Sequence, residues 1–270
     1  RRAAGSSRKP ELPDGPVRQP VDLAVPAVGP GPQLIVHHEP RSVVTEAFRS
    51  LRTNILFSRA GAPPKVIMVA SAGMSEGKTV ISSNLATTLA ESGSRVLLID
   101  SDMRHPSCHP HFGASNQKGL STFLTGRPFD EVVQELSAPR LSFVAAGPRP
   151  PNPAELVGSK RMQDELTRLR GLYDFIVIDS PALIPVTDGV VISRYVDGVV
   201  LVVKGQDTPR ELVLRARDLL RFANAPILGS VMNNVDLGWG SSYYYGNYYG
   251  YYYYGGYDSH DDEEPGEEVA

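Results

Sequence analysis

Cysteine is almost missing from this chain. Its 270 residues hold one, Cys108, so no internal disulfide can form, which fits a reducing compartment. A single thiol of this kind reads first as a small packing residue. Long apolar runs are missing too. Nothing approaches the roughly 18 consecutive apolar residues of a membrane helix, and no signal peptide is visible. The chain as written is expected to be soluble, and because it opens on Arg1-Arg2 it reads as an excised piece whose membrane segments lay upstream. A net charge of -3 gives no overall pull toward nucleic acid, so no such partner is expected. Tyrosine is sparse through most of the length: of twelve, only Tyr173 and Tyr195 precede the last thirty residues or so.

What is present falls into three parts. Residues 1–32 are rich in Pro, Gly, Ser and Arg, with too little apolar surface to offset the entropy of ordering, and read as a disordered linker. From residue 33 to 237 the pattern is that of one domain. Val44, Phe48, Leu51 and Ile55 recur at helical spacing, so 42–58 is expected to be an amphipathic helix displaying Glu46, Arg49 and Arg52, ended by the breaker Gly61-Ala62-Pro63-Pro64. Short β-branched runs at Val66–Ala70, Val96–Ile99, Phe175–Ile178, Val199–Val203 and Ile227–Asn233 read as strands buried on both faces. Helical stretches at Lys78–Glu91, Ala154–Leu169 and Pro209–Phe222 alternate with them. Strand and helix alternating at this length imply an α/β fold: a doubly wound, mostly parallel sheet with helices on both faces. Residues 238–270 differ in kind. Tyr and Gly dominate as far as Tyr257, followed by an acidic end without Lys or Arg, and such low complexity reads as a mobile tail.

The most specific chemical signal is Ala72-Gly73-Met74-Ser75-Glu76-Gly77-Lys78-Thr79-Val80. It follows an expected strand and opens an expected helix, with Ala72 where a phosphate loop usually begins on Gly. Consecutive backbone N–H groups and the positive helix end would cradle phosphate oxygens, Lys78 would reach the β and γ phosphates, and Thr79 would ligate magnesium. A second element, Ile99-Asp100-Ser101-Asp102-Met103-Arg104, puts two carboxylates at the end of the next strand. A third, Ile178-Asp179-Ser180-Pro181, puts another at the same edge, where such sheets bind ligands. Singly, an Asp ending a strand reads as a cap or turn residue. Three beside a phosphate loop read as a magnesium-nucleotide site.

Together these elements resemble the bacterial tyrosine kinases of capsule and exopolysaccharide systems. The resemblance runs from about Val43 to Asp236. It rests on the phosphate loop, the Asp100-x-Asp102-x-Arg104 element, Pro151-Asn152-Pro153-Ala154-Glu155-Leu156, the Tyr-rich tail, and Glu46-x-x-Arg49-x-x-Arg52, which resembles the family's helix for docking on a neighbouring subunit. One departure is the third motif, usually Asp-x-x-Pro, where Pro181 here follows Asp179 by two. The resemblance implies a P-loop tyrosine kinase domain using ATP and Mg2+. It implies Asp100 as the base for a tyrosine hydroxyl whose pKa is about 10, Asp102 and Asp179 positioning magnesium, Lys78 neutralising charge, Arg104 assisting, and Asn233 touching adenine. It implies as phospho-acceptors the tail residues Tyr243, Tyr244, Tyr245, Tyr248, Tyr249, Tyr251, Tyr252, Tyr253, Tyr254 and Tyr257.

It implies in addition a homo-oligomeric ring in which one subunit's tail enters the next subunit's site. A transmembrane activator segment or subunit, an opposing tyrosine phosphatase, and a place at the cytoplasmic face of the plasma membrane follow from the same resemblance. About fifteen residues separate Val235 from the middle of the tyrosine cluster, a reach of about 50 Å when extended. Two rivals are a partition or septum-positioning ATPase switch and a non-catalytic ATP-binding assembly module. The first carries an additional Lys near the start of its loop, where this chain has Ser71-Ala72-Gly73. A eukaryotic-type protein kinase is excluded by the absence of His-Arg-Asp and Asp-Phe-Gly elements.

Overall fold

Runs of Val and Ile without polar interruption must lie between two helical layers, because neither face of such a strand can meet water. The computed structural model describes residues 34–235, and among these the runs assemble into a sheet of seven strands. They are β1 (Val66–Ser71), β2 (Val96–Asp100), β3 (Val133–Glu135), β4 (Leu141–Val144), β5 (Phe175–Asp179), β6 (Gly198–Lys204) and β7 (Ile227–Asn233). Their spatial order is β3-β4-β2-β5-β1-β6-β7. Neighbours are parallel except β3 and β4, an antiparallel pair at one edge. The doubly wound, mostly parallel sheet is therefore as expected.

Alternation along β1 shows the two layers. Ile67 and Val69 pack with Phe48, Ile55, Leu85 and Leu89, which belong to α2 (Val43–Leu56) and α3 (Lys78–Glu91), with the short α1 (Ile35–His38) beside them. Met68 and Ala70 face the opposite cluster, which includes Leu120, Met162, Leu166 and Leu220. These come from α4 (Leu120–Leu124), α6 (Lys160–Leu169) and α8 (Arg210–Phe222), with α5 (Pro153–Val157) and α7 (Asp188–Ile192) completing that layer. Each large aliphatic side chain taken fully out of water contributes about 1.5–3 kcal/mol, so the two clusters hold the sheet between its helical layers. α3 is buried despite its polar content. Ser82, Thr87 and Thr88 return their hydroxyl protons to the carbonyls of Lys78, Ser83 and Asn84, so none is stranded in the core.

Three expectations need correction. The single helix at Ala154–Leu169 is two helices. At the break, a β-carbon on Gly158 would lie 3.1 Å from Val191 Cγ1 and 3.2 Å from the Ala154 carbonyl oxygen, and the Ser159 hydroxyl accepts the Met162 N–H at 3.3 Å to start the second. Val44, expected in the apolar stripe of α2, is 45% exposed, because the helix meets the sheet through Phe48 and Ile55. β3 and β4 were not expected as strands at all. At three and four residues they are too short to carry a period.

Candidate active site

The turn from β1 into α3 is held open by backbone conformations that few residues adopt. Gly77 sits at φ 93°, and a β-carbon there would fall 2.0 Å from Asn233 Nδ2. Ser75 also takes a positive φ of 58°. The Glu76 carboxylate folds inward, accepting the Gly73 N–H on Oε1 at 2.9 Å. The Asn233 amide donates to the Glu76 carbonyl at 3.0 Å, so the end of β7 braces the loop. The result is an α3 N-terminus with Lys78 and Thr79 in its first turn. That arrangement suits phosphate, because unpaired helical N–H groups and the dipole favour an anion there.

Facing the loop is a cleft of about 300 Å³, whose lining includes Gly77, Lys78, Thr79, Asp102, Arg104 and Pro181. Asp179 lies behind that lining, bonded to Thr79. It is 1% exposed, and its Oδ2 accepts the Thr79 hydroxyl at 2.8 Å and the Cys108 thiol at 3.2 Å. Its Oδ1 is buried without a hydrogen-bond partner. Burial raises the Asp179 pKa, opposed by the positive charge of Lys78 and the Thr79 bond. A buried carboxylate oxygen lacking a donor is costly, and beside a threonine hydroxyl it supplies the hard oxygen donors a nucleotide-bound magnesium ion takes. Thr79 and Asp179 thus fit that role, and Asp102, expected beside them, lines the same cleft.

Asp100 lies in strand register with Asp179 and is fully buried. Its Oδ1 accepts the Asp102 N–H at 3.0 Å, and its Oδ2 accepts the N–H groups of Ser107 and Cys108 at 3.2 and 3.1 Å. Burial, then the neighbouring charge of Asp179, push its carboxyl well above the ordinary range. Asp100 was expected to act as the base. The structure places it beneath the cleft with both oxygens engaged by the backbone, so it ties down the two ends of the 102–108 loop. Asp102 lines the cleft instead, its Oδ1 gripped by the N–H groups of Arg104 and His105 at 3.2 and 2.9 Å. Burial, then the charges of Asp179 and Asp100, also push the Cys108 thiol well up.

Arg104 reaches across the cleft. Its Nε and Nη2 donate to Asp188 Oδ2 and Oδ1 at 2.8 and 3.0 Å, pinning the loop after β2 to the start of α7. Asp188 was missed by sequence reasoning, and so was the contact of Cys108 with Asp179. A lone Asp opening a helix reads as a first-turn residue, and no local spacing announces either partner. Glu46 and Arg49 pair with each other on α2, while Arg52 donates to the Thr88 carbonyl at 3.2 Å. All three lie on α2, which packs on the α3 face of the sheet, and none lines the cleft. The expected linker at 1–32, the tail at 238–270 and its ten tyrosines lie outside the described residues.

The same elements recur in known proteins. The family of CobQ/CobB/MinD/ParA nucleotide binding domains matches residues 67–238. A putative tyrosine-protein kinase, CapB of Staphylococcus aureus, is 38% identical over 213 residues, covering 78% of this chain and 93% of the relative. Tyrosine-protein kinase YwqD of Bacillus subtilis is 36% identical over 215 residues, covering 79% and 91%. Tyrosine-protein kinase etk of Escherichia coli is 35% identical over 208 residues, which are 76% of this chain and 28% of that longer relative. The solved kinase domain of that protein superposes with a TM-score of 0.72 at 32% identity, covering 75% of this chain and 80% of that one. With loop, carboxylates and sheet order in place, this chain belongs to the bacterial tyrosine kinases, as a protein-tyrosine kinase domain on a P-loop nucleotide-binding fold.

Proposed function

We propose that this domain uses ATP with Mg2+ to phosphorylate the tyrosines at 243–257 of its own tail, between subunits of a homo-oligomer. The observation that carries the reading is the cleft itself: Lys78, Thr79, Asp102 and Arg104 line it, and Asp179, bonded to Thr79, keeps an unpartnered oxygen. A magnesium ion bound there would offset charge on the β and γ phosphates. Lys78 and the loop amides hold the transferring group and stabilise the charge that develops on it. Asp102 accepts the tyrosine proton at the cleft, and Asp100 keeps Asp102 in place through its backbone amide. The proton moves from the phenolic oxygen to the Asp102 carboxylate as that oxygen bonds to phosphorus, and ADP leaves.

Support for the tail as substrate is compositional. Ten of the twelve tyrosines fall between 243 and 257, beside an acidic segment where each added phosphate increases repulsion. That repulsion would loosen the oligomer, for which Glu46, Arg49 and Arg52 on α2 are the proposed contacts. Among the described residues no helix is long and apolar enough to cross a membrane. We place the domain at the cytoplasmic face of the plasma membrane through a fused or partner segment, acting in capsule or exopolysaccharide synthesis and reversed by a phosphatase.

The test is incubation of the full chain with magnesium and γ-labelled ATP, alongside Lys78→Met and a truncation after Gly240. Label on tail tyrosines, lost in both variants, is expected. Nucleotide binding without label, even with a membrane activator supplied, would favour the assembly-module or ATPase-switch reading.

A further inference from the structure

Beneath the cleft the chain carries something that phosphate binding does not require. Asp100, Cys108 and Asp179 are all buried, and each offers one donor atom within 4.8 Å of the other two. Cys108 is the chain's single cysteine. Its sulfur lies 3.2 Å from Asp179 Oδ2, while Oδ1 of the same carboxylate has no partner at all. We propose that Asp100, Cys108 and Asp179 form a site for a thiophilic divalent cation, zinc in particular, overlapping the place where Asp179 serves the nucleotide's cation.

The geometry suits a small tetrahedral ion. Zinc about 2.3 Å from sulfur and about 2.1 Å from oxygen sets those two donors about 3.6 Å apart, close to the separation found here. A carboxylate oxygen that accepts one N–H keeps a second lone pair. Asp100 Oδ1, with the Asp102 N–H as its partner, can therefore coordinate without giving up its hold on the loop. The fourth position is left to water or to the Thr79 hydroxyl, which already touches Asp179 at 2.8 Å. Magnesium has little use for sulfur and holds to octahedral oxygen donors, whereas a thiolate selects softer ions. The carboxylate pair thus has two outlooks: oxygen-only toward the cleft through Thr79, and sulfur-containing underneath.

Binding is a ligand exchange. The Cys108 S–H bond breaks, its proton goes to solvent, and a sulfur–metal bond forms with no change of oxidation state. Asp179 Oδ2 exchanges its thiol hydrogen bond for the ion, whose charge also replaces the proton that burial favours on Asp100. A chain loaded in this way has Asp179 withdrawn from the nucleotide's cation, so zinc would act as an inhibitor that competes with magnesium. The inference needs only the three side chains. It stands or falls separately from the kinase reading, because its test contains no nucleotide.

The probe is Co2+, added to the untagged full chain in a buffer free of thiols and chelators and followed by near-ultraviolet absorption. A thiolate-to-cobalt charge-transfer band saturating at one ion per chain, and removed by zinc, is expected. Cys108→Ser should lose the band and retain cobalt at least about ten-fold more weakly by equilibrium dialysis, with unchanged far-ultraviolet circular dichroism. With one cysteine in the chain, the wild-type titration decides alone. Absence of the band, or cobalt uptake without it, would overturn the proposal whether or not the variant folds.

Discussion

Breaking the Arg104–Asp188 clamp should cost stability and activity together. Asp188 is 1% exposed and takes two charged hydrogen bonds, whereas Arg104 keeps 28% of its side chain exposed. Replacing Asp188 by Leu removes both bonds and strands a guanidinium that is only partly buried. Breaking a fully buried pair costs about 3–5 kcal/mol. Because Arg104 can still turn to solvent, we expect about 2–3 kcal/mol here. For a domain of this size that is a fall in Tm of about 4–12 °C, at about 2–4 °C per kcal/mol. Arg104→Met in the same chain should recover much of the loss, because no unpaired charge then remains. The assay is a double-mutant cycle by urea denaturation at constant m-value, with kcat/KM for tail phosphorylation measured in parallel and expected to fall about ten-fold. A coupling energy below about 0.5 kcal/mol would mean the pair is solvent-screened, and the clamp argument would fail.

Other outcomes follow from the same geometry. Gly77→Ala sets a β-carbon against Asn233 at a positive φ, so nucleotide affinity, read by fluorescent-nucleotide titration, should drop at least about ten-fold; the strained φ alone costs about 1–2 kcal/mol. Asp102→Asn should lower the phosphoryl-transfer rate about a hundred-fold or more at unchanged Tm, whereas Asp100→Ala should lower Tm by freeing the 102–108 loop; equal thermal shifts in the two would contradict the roles assigned. At the far end of β5, side-chain hydrogen bonds from Arg95 hold the Asp174 carboxyl at about 2. This depressed value stabilises the fold above the ordinary carboxylate pKa, and the contribution is lost as pH falls from about 4 toward 2. Asp174→Asn should therefore flatten the acid limb of a urea-midpoint profile, and a profile identical to wild type would rule the linkage out.

The layered fold was legible because uninterrupted apolar strands and one strand–loop–helix motif leave few alternatives. Lys78 and Thr79 at the start of α3, and Asp100 and Asp179 at the ends of β2 and β5, were legible for the same reason. What stayed hidden depends on contacts distant in sequence. Asp188 meets Arg104 across 84 positions, and Cys108 meets Asp179 across 71. The exchange of Asp100 for Asp102 at the cleft wall came from the loop after β2, whose three backbone hydrogen bonds to Asp100 no spacing rule describes. The edge pair β3–β4 and the break at Gly158–Ser159 escaped because short elements and tight helix joints are decided by neighbours such as Val191.

One consequence lies in the pairing of Asp100 with Asp179 across β2 and β5. The ladder sets these two residues side by side, so both carboxyl groups lie buried at one end of the sheet. Burial, then the charge of Asp179, favour the uncharged form of Asp100, so the pair eases its repulsion by keeping a proton. A cation arriving there would take that proton's place. Truncating Leu98 or Val177, both fully buried on that ladder, would cost core packing, so any change in cation affinity would arrive together with a loss of stability.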